Sequence, residues 1–118
     1  MRAISDLPKT QTSGRVVVAI PAHNEQAGIG AALDALRRQT RTPDLVVVIA
    51  DNCTDRTEDV VGKRADTILV ATEGNTHKKA GALNAVLDRL LPRLEPTDSI
   101  LVVDADSALD DTFLEGAL

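Results

Sequence analysis

The sequence predicts an α/β fold: a three-layer sandwich around a mainly parallel sheet of about four strands. Three observations predict it. Short apolar runs at residues 16–20, 45–50 and 100–103, rich in β-branched side chains, read as strands buried on both faces. Segments with helical spacing of apolar residues lie between them, so strand and helix patterns alternate along the chain. Each run also leads into polar or acidic residues, as expected where parallel strands end at a ligand-binding edge.

Residues 1–14, with Pro8, Thr10, Thr12, Ser13 and Gly14, read as a flexible leader before a single domain at 15–118. The first strand is expected at 16–20, with Pro21 as its stop. A polar loop follows, and then a helix from about 26 to 38, whose Ile29, Ala32, Leu33 and Leu36 share one face. The second strand, 45–50, ends in the turn-rich Asp51-Asn-Cys-Thr-Asp55, where Thr54 or Asp55 can cap a short helix near 56–64. A shorter strand at 67–71 and a polar loop at 72–78 come next. The helix at 80–91 is marked by Leu83, Val86, Leu87 and Leu90 and ended by Pro92. The fourth strand, 100–103, runs into Asp104-Ala-Asp106, and Asp110-Asp111 starts a last helix with Phe113, Leu114 and Leu118.

Right-handed crossovers between these elements give a Rossmann-like strand order 3-2-1-4, with a switch point between the first and fourth strands. That order brings Glu25, Asp51, Asp104 and Asp106, from three different strands, to one edge. Asp104 and Asp106 can aim to the same side and offer hard oxygen ligands to a divalent cation. Lys79 and Gly81, at the start of the long helix, can supply a cation and free N–H groups. His23 and Lys78 read as polar loop residues, Asn24 as a turn or ligand residue, and Asp55 as a cap. Asn84 reads as a polar group on the helix.

Composition narrows the ligand. The chain has 118 residues, a net charge of −5 and one aromatic residue, Phe113. Without aromatic platforms or a basic patch beyond His77-Lys78-Lys79, a nucleic-acid partner is not expected. An acidic protein that takes a phosphorylated ligand needs a metal or backbone N–H groups to offset repulsion. Cys53 is alone and the longest apolar run is far too short to span a bilayer, so a cytoplasmic location without membrane insertion is expected.

Four stretches carry a resemblance. Val17-Val-Ala-Ile-Pro-Ala-His-Asn-Glu25, Val48-Ile-Ala-Asp-Asn-Cys-Thr-Asp55, Lys79-Ala-Gly-Ala-Leu-Asn84 and Val102-Val-Asp-Ala-Asp106 resemble, in order and spacing, the successive signatures of family 2 glycosyltransferases with the GT-A fold. The resemblance implies a nucleotide-diphosphate sugar, most often a UDP-sugar, and Mg²⁺ or Mn²⁺. By position it implies that Pro21, Ala22 and Glu25 contact the nucleoside, Asp51 the base, and Lys79 and Gly81 the base or phosphates. Asp104 approaches the ribose and Asp106 ligates the metal. Such enzymes place the acceptor region and a general base after the Asp-x-Asp strand. Here only residues 107–118 follow, so the expectation is a truncated GT-A domain, the donor-binding half, with no assignable catalytic residue. A half-domain of this kind is expected to self-associate or to dock on another chain.

Rival readings fit less well. Gly28-Ile-Gly30 lies eight residues past its strand and lacks the third small residue of a dinucleotide fingerprint. A phosphatase using Asp104 as nucleophile needs a downstream Lys and an acidic pair. The alternative kept is a catalytically inactive glycosyltransferase domain serving as a structural or protein-interaction module.

Overall fold

Strand β1 (Val16–Ala22) is an inner strand of a four-stranded, all-parallel sheet. It lies between β2 (Leu45–Asp51) and β4 (Ser99–Val102), with β3 (Thr67–Thr72) beyond β2. The order is therefore 3-2-1-4, as expected. The computed structural model describes residues 15–51, 53–64, 67–72, 78–94, 97–105 and 111–117. The expected leader, the loop at 73–77, and Asp106, Asp110 and Leu118 lie outside the described residues.

Alternation along the strands sorts their side chains into two cores. Val16, Val18, Ile20, Val46 and Val48 face α1 (Ile29–Arg37), α2 (Thr57–Gly62) and α4 (Phe113–Ala117) through Ile29, Leu33, Leu36, Val61 and Leu114. Val17, Ala19, Leu45, Val47 and Ile49 face Val86 and Leu90 of α3 (Lys78–Leu90). With helices on both faces, neither inner strand needs a polar side, which is why both read as unbroken apolar runs. Each fully buried Ile, Leu or Val contributes about 1.5–3 kcal/mol. A 3-10 turn at Leu91–Arg93 takes in Pro92 and closes α3. Among the described residues, no helix is long and apolar enough to cross a membrane.

One expectation needs correction. Pro21 does not stop β1; the strand continues to Ala22, with Pro21 opposite Ile49 and Ala22 opposite Ala50 of β2. Even-numbered β1 residues direct their backbone groups at β2 and odd-numbered ones at β4, as the Val103 N–H to Ala19 carbonyl bond (3.0 Å) shows. The missing N–H of Pro21 thus faces β4, where the next acceptor in the ladder is the Val103 carbonyl. Proline ends the pairing with β4 and leaves the pairing with β2 intact. The other boundaries move slightly: α1 starts at Ile29 because Glu25–Gly28 form its entry turn, with the Glu25 carbonyl accepting from Gly28 (3.0 Å) and Ile29 (2.9 Å).

Candidate functional site

Because all four strands are parallel, their carboxyl ends share one edge. Pro21 and Ala22 are buried in the last positions of β1, and half-buried Glu25 follows in the loop. Asp51, buried, ends β2 and is paired with Thr72 of β3. Alternation with Leu45, Val47 and Ile49 puts it on the face covered by α3. Asp104 is exposed two residues beyond the end of β4. Lys79 and Gly81 lie in the first turn of α3, whose later turns pack on β1 and β2. Asn84 is exposed on that helix. The edge thus gathers the tips of β1, β2 and β4, and β1 and β4 flank the switch point: the connections through α1 and α2 cover one face and the one through α3 covers the other.

Two loops at this edge, β1–α1 and β2–α2, are bonded to each other across some thirty residues of sequence. His23 Nδ1 is 2.8 Å from the Asp51 carbonyl, and the Cys53 thiol donates to the Ala22 carbonyl (3.5 Å). The Asn24 side-chain oxygen accepts from the backbone N–H of Thr54 (2.7 Å) and of Asp55 (3.2 Å). Gln26 N–H donates to Asp55 (3.1 Å), while the Gln26 side-chain carbonyl accepts from Arg56 N–H (3.1 Å). Thr57, fully buried, accepts from Glu25 N–H (2.9 Å) and donates its hydroxyl to Asp55.

Asp55 is not the cap the sequence suggested: the N-cap of α2 is Arg56, which has no side-chain cap bond, and the Asp55 carboxylate accepts from Thr57 N–H (2.9 Å) two residues on, in a turn that leads into the helix. The Thr57 hydroxyl holds the Asp55 carboxyl below the ordinary aspartate range; burial opposes this, and the N–H groups of Thr57 and Gln26 add to it. Sequence reasoning missed Thr57 and Gln26. The spacing Asp55-x-Thr57 is a local signal for the first; the second bonds only across the fold.

A divalent cation calls for hard oxygen donors, and Mg²⁺ commonly takes one or two carboxylates together with substrate phosphates. Among the described residues no group of three or more His, Cys, Asp or Glu side chains is assembled as a ready metal cage. A carboxylate tip such as exposed Asp104 on the ligand-binding edge fits the first kind of site.

The family model for glycosyl transferase family 2 matches residues 17–118. The chain belongs to this family. No curated protein matches it in sequence. Among solved structures, S. aureus TarS is similar at 25% identity and a TM-score of 0.71, over 87% of this chain and 18% of that one. TarS 1–349 in complex with UDP is similar at the same identity and TM-score, over 87% of this chain and 30% of that one. Glucosyl-3-phosphoglycerate synthase from Mycobacterium tuberculosis, in complex with Mn²⁺, UDP and phosphoglyceric acid, shares the fold at 21% identity and a TM-score of 0.60, over 87% and 37%. The chain thus spans well under two thirds of these proteins, and its four-stranded α/β unit is a part of their GT-A architecture.

Proposed function

We propose that this domain, residues 15–118, binds the nucleotide-diphosphate sugar, a UDP-sugar, of a glycosyl transfer reaction, with Mg²⁺ or Mn²⁺. Membership in glycosyl transferase family 2 carries this reading, and the shared carboxyl edge of β1, β2 and β4 supports it. The UDP in the TarS complex and the UDP and Mn²⁺ in the mycobacterial synthase complex support it.

In this reading Pro21, Ala22 and Glu25 line the nucleoside, and the Asp51 carboxylate accepts a hydrogen bond from the base. Lys79 and the N–H groups around Gly81 meet the base or phosphate region. Asp104 accepts from the ribose, and Asp106 holds the cation. When bound, the cation neutralises charge on the pyrophosphate and on the departing diphosphate. That matters in a chain of net charge −5, whose own carboxylates repel the ligand. No residue among 15–118 is assigned as general base. The lone Cys53 and the UDP-sugar chemistry fit a cytoplasmic location.

Calorimetry with UDP, with and without Mn²⁺, tests the reading. Metal-dependent binding that Asp106→Ala abolishes and Asp51→Ala weakens is the expected result. Absence of binding by UDP, GDP or their sugars would transfer weight to the second reading, an inactive module that self-associates or docks on another chain. That reading draws on β4, where Val102 is 50% exposed at the sheet's edge. Sedimentation as a monomer at high concentration would remove its support.

A further inference from the structure

We infer that Asn24 is a positioning residue for the nucleotide site: it locks the loop after Asp51 onto the loop that carries Glu25. The inference rests on the donor-site reading above and adds a residue that makes no ligand contact in it. Among the described residues Asn24 is the one non-glycine with positive φ, at 52°. Asn is among the few side chains that tolerate this left-handed conformation. The turn aims the side chain across the edge, away from its own loop.

Its amide then satisfies the opposite loop at both polarities. The oxygen accepts from Thr54 N–H and Asp55 N–H, and Nδ2 donates to the Thr54 hydroxyl (3.2 Å). Nδ2 also lies 3.5 Å from His23 Nε2, and His23 Nδ1 reaches the Asp51 carbonyl. The backbone N–H of Asn24 points at Cys53 Sγ (3.5 Å). His23 and Asn24 are thereby tied to residues on both sides of position 52. Thr54 and Asp55 N–H groups lie ahead of α2 and have no partner of their own within that helix, so Asn24 replaces the water they would otherwise bind. A site carboxylate works only when held within a fraction of an ångström, and the loop bonds supply that constraint.

The test compares wild type with Asn24→Gly and Asn24→Asp in the full chain, measuring UDP affinity with Mn²⁺ and amide exchange at Thr54 and Asp55. Asn24→Gly keeps the backbone conformation and removes the amide. It is expected to weaken UDP binding about tenfold and to speed exchange at both amides at least tenfold. Asn24→Asp keeps the acceptor and the left-handed tolerance and is expected to hold exchange at both amides to within about threefold of wild type. In Asn24→Gly, wild-type affinity, or lost affinity with both amides still protected, overturns the inference alone, as does fast exchange at both amides in Asn24→Asp. Failure of the wild-type chain to bind UDP overturns the donor-site reading and this assignment with it.

Discussion

Arg15 secures the end of the sheet opposite the candidate site. Its guanidinium donates to Asp98 Oδ2 at 2.7 and 3.1 Å and to the Arg93 carbonyl at 2.9 Å, while its backbone N–H reaches Asp98 Oδ1 at 2.9 Å. Both side chains are shielded from water. A buried pair of this kind joins the starts of β1 and β4, and losing one member strands the other charge in the interior. Arg15→Met is therefore expected to destabilise the fold by about 3–5 kcal/mol, seen as a lower urea midpoint. Because β1 puts about 20 Å between this pair and the carboxyl edge, the folded variant should keep its UDP affinity. A midpoint within error of wild type would show that the pair contributes nothing net.

Helices α1 and α2 are held to each other, and to the loops, by aspartates whose charged forms the fold favours. Arg64 donates to Asp34 (2.7 Å) and to the Gly30 carbonyl (3.2 Å), tying the end of α2 to the start of α1. The Arg64 hydrogen bond and charge hold the Asp34 carboxyl below its ordinary range, as Thr57 does for Asp55. A carboxyl depressed in the folded state contributes stability that is complete above the unfolded value, about 4. That contribution disappears as pH falls through the lower folded value. The double variant Asp34→Asn, Asp55→Asn should thus be less stable than wild type at pH 7 and lose less on acidification below pH 4. Thermal melts between pH 7 and 2 should converge; parallel curves would refute the linkage.

The same elements show what local sequence can reveal. Strands β1 and β2 were legible because both faces are covered, so burial alone wrote Val-Val-Val-Ala-Ile and Leu-Val-Val-Val-Ile-Ala. The order of strands followed from alternation and crossover handedness. Pro21 was misread because a missing N–H matters only on the side where a neighbour waits, and that side depends on the parity of pairing with β4. The loop lattice was invisible for a similar reason. Asn24, Gln26 and Thr57 find partners about thirty positions away, and no spacing rule reports contacts made only after the sheet has formed. Asp51 and Asp104 could be placed on one edge from topology alone, whereas the burial of Asp51 and the exposure of Asp104 had to come from the fold.

Taken as one body, the protein carries a net charge of −5, so if it takes an anionic nucleotide as proposed, nucleotide and cation should bind as a unit. A ligand that binds only the folded state stabilises it by RT ln(1 + [L]/Kd), about 2.7 kcal/mol at a hundredfold excess over Kd. For a chain of 118 residues, 1 kcal/mol moves the midpoint by about 4 °C. UDP with Mn²⁺ at that excess should therefore raise Tm by about 10 °C, whereas either alone should raise it far less, and a chelator should reverse the gain. The comparison also separates the two readings of the chain. A donor-binding domain gains stability from the pair regardless of protein concentration. A module held together through the edge of β4 gains it from its own concentration, with no response to nucleotide. A midpoint that climbs with protein concentration and ignores UDP and Mn²⁺ would place the function of this sheet at its edge strand rather than at its strand tips.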